Sequence, residues 1–447
     1  MNVGLRVIIS TLILIANIYM QELASFFVWL IFMYVGNIIS KNIFKEIPNK
    51  IQFIDFYIII SFLGTLICVD NYNNFENLFG FAADDQIFFN TITSILEGDF
   101  PNEISFFSYF IAIIIFPISL IKDLSLLDIL PINWVISALI CVLLDKFSIL
   151  IQNKSIPLIV LLFSFCFRFV LFDTCIRLYR DDLILLFILI SAILIYSRKY
   201  VKSIFVLPFI LFLRGANLII PLLMYIFTRI TRRGRIIAIC VTLVSFVVLS
   251  FYFSDILSFS IKFGSDISRT SRYVDAFSGL DDEEILNLRF SKNAETGNKF
   301  GQRAYSSTSV ISIIFRAFFD YAFPLSINSP NHFMTHYSLG SVNGFYFYYI
   351  LMWFCIASFI ITTPFLIFGI IKNKNGNLLS LFLVNIIFWV FVLTISGQNR
   401  HTASFYMFNV IFITNGFYIY KSNKKVRFWI NLGVVFLLLM VVLYNIF

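Results

Sequence analysis

Residues 345–371 read FYFYYILMWFCIASFIITTPFLIFGII and contain no Asp, Glu, Lys or Arg. A helix that crosses a bilayer needs about 20 consecutive, mostly apolar residues, and this segment exceeds that length. Comparable segments lie at about 4–21, 24–40, 52–69, 106–121, 126–145, 157–173, 183–197, 204–227, 236–254, 345–371, 379–397, 404–420 and 428–446. The sequence therefore predicts an all-α, polytopic integral membrane protein with about 11–14 transmembrane helices.

The composition agrees with that fold class. Of the 447 residues, 60% are hydrophobic and 13% are charged, whereas soluble proteins carry about 25% charged residues. The 33 Lys and Arg exceed the 25 Asp and Glu, but no basic stripe alternates with stacking aromatic residues, so nucleic acid is not a predicted partner. The six cysteines show no C-x-x-C spacing, which argues against a metal site and against a disulfide framework.

The chain is predicted to form one membrane domain, residues 1–447, with polar interruptions at 70–105 and 255–344. No Lys or Arg occurs between residues 51 and 121, and the first interruption is rich in Asp and Glu. Because cytoplasmic loops are enriched in Lys and Arg, we expect 70–105 on the extracytoplasmic side. We also expect 255–344 and the turn 397–401 on that side.

Clusters of Lys and Arg mark the predicted cytoplasmic loops. They are Lys41, Lys45 and Lys50; Arg229, Arg232, Arg233 and Arg235; Lys372 and Lys374; and Lys421, Lys424, Lys425 and Arg427. A further cluster at 198–202 precedes the apolar segment 204–227. One span there would leave Arg214 near mid-membrane, whereas a hairpin of two half-helices keeps the basic residues at both of its ends on the cytoplasmic side. We favour the hairpin, which requires that either 106–121 or 126–145 does not cross fully.

Two adjacent carboxylates, Asp84 and Asp85, stand in the first predicted outer loop, ahead of a helical pattern at 87–96. Such a pair suits a general base that takes a proton from an acceptor hydroxyl, or a ligand set for a divalent metal. The structural alternative is a helix N-cap, since Asp is a preferred capping residue. A cap needs only one Asp, so we predict a catalytic role for Asp84 and Asp85 and leave the metal open.

Several charged residues lie beside or within apolar segments, where charges are costly and are commonly functional or paired. The candidates for binding a phosphate or pyrophosphate are Arg177, Arg180, Arg214 and Arg400, with Asp181, Asp182, Arg303 and His401 as further candidates. Arginine suits this role because its planar guanidinium binds phosphate through two parallel hydrogen bonds. The structural alternatives are ion pairs of Arg180 with Asp181 or Asp182 and of Arg214 with a helix carboxylate, and an interface anchor for Arg400.

Taken together, these features resemble the membrane glycosyltransferases that build bacterial surface polysaccharide. The pair Asp84-Asp85 is similar to the acidic pair in the first outer loop of the C-type glycosyltransferase superfamily, and Arg214-Gly215-Ala216-Asn217 resembles its Arg-containing turn. The O-antigen and capsule repeat-unit polymerases are similar in their Phe- and Ile-rich chains, their late outer loop and their scattered arginines. The His-Asn pair of one ligase-polymerase branch is absent, so both groups stay open.

The resemblance implies glycosyl transfer at the outer face of a bacterial cytoplasmic (inner) membrane. A saccharide would leave its polyprenyl phosphate or pyrophosphate, arginines would stabilise the leaving group, and Asp84 or Asp85 would deprotonate the acceptor hydroxyl. The implied partners are the polyprenyl-linked saccharide, the lipid bilayer, and chain-length regulator and flippase proteins. The competing class is a lipid-linked oligosaccharide transporter, which would typically show repeated halves with interrupted helices.

Overall fold

The computed structural model describes residues 1–75, 77–78, 83–99, 106–166, 178, 180–251, 346–373, 375–395 and 403–446. Within these ranges the chain forms helices and their connections, without a β-strand. The α-helices are α1 (Val3–Tyr19), α2 (Leu23–Asn42), α3 (Phe53–Phe75), α4 (Ala83–Glu97), α5 (Phe106–Ser119), α6 (Leu126–Gln152), α7 (Leu158–Leu161), α8 (Asp181–Tyr196), α9 (Tyr200–Ile204), α10 (Leu207–Arg214), α11 (Ile219–Arg229), α12 (Arg232–Phe251), α13 (Tyr346–Ile371), α14 (Gly376–Ile395), α15 (Ala403–Ser422) and α16 (Lys424–Ile446).

Four helices in the described ranges are long and apolar enough to cross a bilayer: Leu23–Asn42, Phe53–Phe75, Leu126–Gln152 and Trp353–Ile371. The all-helical class is therefore confirmed for these residues, and the apolar helices support a membrane protein. The loop predicted at 255–344 lies outside the described residues. The one predicted at 70–105 is only partly a loop, because α3 continues to Phe75 and α4 occupies Ala83–Glu97.

Helix α6 lies at the centre of the bundle and packs against α2, α3 and α8. It begins with a capping box, in which the Ser125 N–H donates to the Asp128 carboxylate (2.8 Å). It ends at Asn153, whose φ of 53° is left-handed, a conformation that commonly ends helices. The apolar pattern predicted an end near residue 145, whereas the helix continues to Gln152 because Asp145 and Lys146 find partners in adjacent loops.

Asp145 connects the C-terminal end of α6 to two loops. Its carboxylate accepts hydrogen bonds from the N–H of Lys50 (2.8 Å), from the hydroxyl of Ser155 (2.8 Å) and from the N–H of Ile156 (2.7 Å). The carboxylate is fully buried, so its charge is stabilised by these donors rather than by water. Asp145 therefore holds two connections, residues 43–52 and residues 153–157, against the C-terminal end of α6.

We expect Asp145→Ala to lower the free energy of unfolding by about 2 kcal/mol, because three donors lose a charged acceptor in a buried place. The measurement is thermal unfolding of the purified protein in detergent. Asp123→Ala is the matched control, since Asp123 is exposed. Equal stability of the two variants would contradict the proposed role of Asp145.

Lys146, the next residue of α6, donates to the carbonyl groups of Ile43 (2.7 Å) and Phe44 (2.8 Å), just past the end of α2. At the same end of the bundle Lys199 forms an ion pair with Glu46, and this hydrogen bond holds the pKa of the Glu46 carboxyl below its ordinary value. The predicted cytoplasmic clusters at 41–50 and 198–202 therefore lie together. We call this the basic end of the bundle.

The opposite end of the bundle contains the end of α3 and the starts of α2 and α6. There Lys122 pairs with Asp128 (2.9 Å) and donates to Ser25 (3.3 Å). Because α3 ends and α6 begins at this same end, the intervening α5 accounts for the predicted incomplete crossing. The 14 residues that the structure describes for α5 extend about 21 Å, short of the roughly 30 Å hydrocarbon core.

The predicted hairpin between the two basic clusters is present. The Arg229 guanidinium, at the end of α11, lies over the ring of Tyr200 at the start of α9 (4.9 Å to the ring centroid). Both arms of the hairpin therefore meet at the basic end. A 3-10 turn, Gly215–Leu218, joins α10 to α11 and places Arg214 and Asn217 away from that end.

Candidate functional site

A buried ion pair connects the hairpin to α8. Arg214 Nη1, at the end of α10, lies 2.7 Å from Asp181 Oδ1, at the start of α8. The two side chains are 17% and 8% exposed. Each residue lies about four helical turns from the connection at 197–199, so the antiparallel packing of α8 against the hairpin brings them to the same height.

The neighbouring carboxylate, Asp182, faces a different helix. Its side chain is fully buried, and the Ser137 hydroxyl of α6 donates to Oδ2 (3.1 Å). Successive residues of an α-helix project about 100° apart, so Asp181 and Asp182 reach two different neighbours. Asp181 therefore pairs with Arg214, and Asp182 contacts the hydroxyl of Ser137 on α6.

Asn217 adds an unmatched donor three residues after Arg214. Its side chain is 3% exposed, and its Nδ2 has no hydrogen-bond partner in the part of the chain that the structure describes. A buried donor without an acceptor costs about 1–3 kcal/mol, which favours a bound acceptor at this position. We refer to Ser137, Asp181, Asp182, Arg214 and Asn217 as the acid–arginine cluster.

Two more polar residues are buried at the opposite end, at the end of α3. Asp70 is 1% exposed and Asn71 is 4% exposed, and the Asn71 amide donates to the carbonyl of Leu78 (2.9 Å). The hydropathy pattern assigned Asp70 to the outer loop, because it directly follows an apolar run. Ser137 was also missed, since a single Ser within the apolar helix α6 carries no functional signal.

The structure brings together only some of the predicted site residues. Asp181, Asp182 and Arg214 meet in the acid–arginine cluster, whereas Arg180 directly precedes α8 and is exposed. The anticipated pair of Arg180 with a neighbouring Asp is replaced by the pair of Asp181 with Arg214. Arg177, Arg303, Arg400 and His401 lie outside the described residues.

Asp84 and Asp85 lie in the first turn of α4, and their side chains are not among those described. Within the described residues, no three His, Cys, Asp or Glu side chains come together as a group that could hold a metal. A divalent metal at the Asp84–Asp85 pair therefore remains a hypothesis based on sequence.

Comparison of the chain with protein-family models, curated proteins and solved structures finds no match. The Arg214–Asp181 pair orients a guanidinium, Asp182 offers a buried carboxylate, and Asn217 offers an amide donor. Such a set offers both donors and acceptors to a polar group.

Proposed function

We propose that the protein is a membrane glycosyltransferase that acts on polyprenyl-linked saccharides at the outer face of a bacterial cytoplasmic membrane. Within that class we favour an O-antigen or capsule repeat-unit polymerase over a C-type enzyme that uses a polyprenyl-phosphate sugar. The observation that supports this most is the acid–arginine cluster, buried at a distance from the basic end. We also propose that further helices cross the membrane besides the four long apolar ones, so that the protein has 11–14 transmembrane helices.

In the proposed reaction, arginines stabilise the leaving group and a carboxylate acts as the general base. The leaving polyprenyl phosphate or pyrophosphate gains negative charge, and a preoriented guanidinium stabilises that charge without reorganising. In our proposal Asp181 orients Arg214 (2.7 Å), while Arg177, Arg180 and Arg400 complete the phosphate site. Asp84 or Asp85 takes the proton of the acceptor hydroxyl. A chain-length regulator and a flippase are the proposed protein partners.

The test of the catalytic carboxylates uses Asp84→Asn and Asp85→Asn. We expect at least one variant to reduce polymer formation by about 10²–10⁴-fold, because general-base catalysis typically contributes that much, while membrane abundance stays normal. Asp99→Asn is the matched control, as Asp99 is an exposed carboxylate just past α4. The readout is the length distribution of the surface polysaccharide. Normal polysaccharide in both variants would remove these carboxylates from the mechanism.

One observation favours a second candidate, a lipid-linked oligosaccharide transporter. The two half-helices of the hairpin meet at Gly215–Leu218, beside the charged residue Arg214, and transporters commonly bind substrate where half-helices end inside the membrane. Proteoliposomes that contain the purified protein distinguish the two functions. A transporter would move a fluorescent lipid-linked saccharide across the bilayer without changing it, whereas a transferase would convert it to a longer product.

A further inference from the structure

A cavity of about 380 Å³ opens beside Lys372. The next connection, at Asn375, donates to the Ile151 carbonyl at the C-terminal end of α6 (2.8 Å), so the cavity lies at the basic end, away from the acid–arginine cluster. It lies between the end of α13 and the connection from α15 to α16. Its lining residues are Phe368, Lys372, Asn423, Lys425, Val426 and Trp429. The cavity therefore combines two cations with an aromatic and aliphatic wall.

The positive charge of this cavity is not balanced by the surrounding sequence. Residues 321–447 contain no Asp or Glu, and no carboxylate is among the lining residues. Two ammonium groups in a concave site without a counter-ion are complementary to an anion. Basic pockets between helices at the cytoplasmic side of a membrane bind anionic lipid headgroups in this way.

The apolar side chains of α16 beside the two lysines are suited to contact with the acyl chains of a lipid. Trp429 is 55% exposed and Phe428 is 62% exposed, so both present aromatic surface outward from α16. Tryptophan favours the level of the headgroups, where one part of the ring is apolar and another is wet. Past the exposed Asn431, the exposed side chains of α16 are apolar, including Leu432 and Phe436, as expected for contact with acyl chains.

We propose that this cavity binds the headgroup of an anionic glycerophospholipid. The phosphate lies between Lys372 and Lys425, and an acyl chain follows α16 past Trp429. The site is independent of the proposed glycosyl transfer, because it shares no residue with the acid–arginine cluster.

Cytoplasmic loops are generally enriched in Lys, so a cluster of lysines at this end could attract anionic lipids without a specific site. A second pair of lysines from the same cluster, outside the cavity, separates the two effects. Lys421 and Lys424 belong to the same basic cluster but do not line the cavity. The Lys421 ammonium lies over the ring of Phe417 (4.6 Å to the centroid). Removing these two charges changes the net charge of the cluster equally and leaves the cavity intact.

The experiment measures lipid binding to the full-length protein in a neutral detergent by native mass spectrometry, with phosphatidylglycerol and phosphatidylcholine as probes. We expect Lys372→Gln/Lys425→Gln to bind phosphatidylglycerol roughly 30-fold more weakly, which corresponds to about 1 kcal/mol for each Lys. Lys421→Gln/Lys424→Gln should stay within about twofold of the wild type, because these lysines act only at long range. Binding of phosphatidylcholine should not change in either variant.

Equal weakening in both double variants would overturn the proposal, because it would indicate diffuse attraction by the basic cluster. Unchanged binding in Lys372→Gln/Lys425→Gln would overturn it as well. Inorganic phosphate that displaces phosphatidylglycerol at equal concentration would indicate a site for a free anion rather than for a lipid. If the double variant does not fold, the single variants Lys372→Gln and Lys425→Gln should each weaken binding about fivefold.

Discussion

Arg214→Gln is expected to destabilise the protein by about 3–5 kcal/mol, which is the typical consequence of leaving one partner of a buried ion pair without the other. Asp181 would lose its cationic partner in a place where its side chain is only 8% exposed. The measurements are the abundance of the variant in the membrane and its thermal unfolding in detergent. A variant with normal stability would contradict the structural importance of the pair.

The double variant Arg214→Gln/Asp181→Asn separates stability from function. Both charges are removed together, so most of the lost stability should return. If Arg214 also stabilises a phosphate, the double variant should be abundant but inactive in polysaccharide assembly. If the pair only holds the hairpin against α8, the double variant should be both abundant and active.

Arg214→Lys tests the geometry of the same site. Lysine keeps the positive charge but lacks the planar guanidinium, which binds carboxylate or phosphate through two hydrogen bonds. We expect a folded protein whose activity is reduced by about 10²–10³-fold, the effect of removing one charge-stabilising donor. Full activity at normal abundance would demote Arg214 to a structural residue.

The second large effect is expected at the crossing of α13 and α15, which have the most extensive contact of any two helices described. Gly369 and Gly416 allow the two backbones to touch, because a Cβ at either position would overlap a carbonyl oxygen of the other helix. The Asn415 amide also donates across the crossing to the Gly369 carbonyl (2.9 Å). Small residues allow this close approach in membrane proteins generally.

Gly416→Val should destabilise the packing of α13 against α15 by about 3 kcal/mol, the upper part of the usual range for overpacking, because the new side chain would overlap backbone atoms of α13. Gly4→Val is the matched control, since a Cβ at Gly4 lies 3.8 Å from its nearest neighbour, Asn2 Oδ1. Membrane abundance and resistance to proteolysis report the result. Equal abundance of the two variants would show that the protein stays stable when α13 and α15 move apart, and would contradict the prediction.

Local properties of the sequence are enough to predict the helical class and the hairpin at 204–227. The length of an apolar segment decides whether a helix can cross a bilayer, and flanking charges decide which ends lie together. Both properties can be read from consecutive residues, so basic clusters at 198–202 and 229–235 indicate a chain that returns to the same end. The continuation of α6 past residue 145 was not predictable in this way, because Asp145 and Lys146 depend on donors and acceptors in other loops.

The composition of the candidate site depends on contacts between distant segments. Asp181 and Asp182 are adjacent and chemically identical, yet one pairs with Arg214 and the other accepts a hydrogen bond from Ser137. The sequence predicts that charges near a span need partners, but it does not indicate which helix lies against each face of α8. That choice follows from the packing of α6 and the hairpin around α8, because a rotation of about 100° between successive residues directs each carboxylate to a different helix.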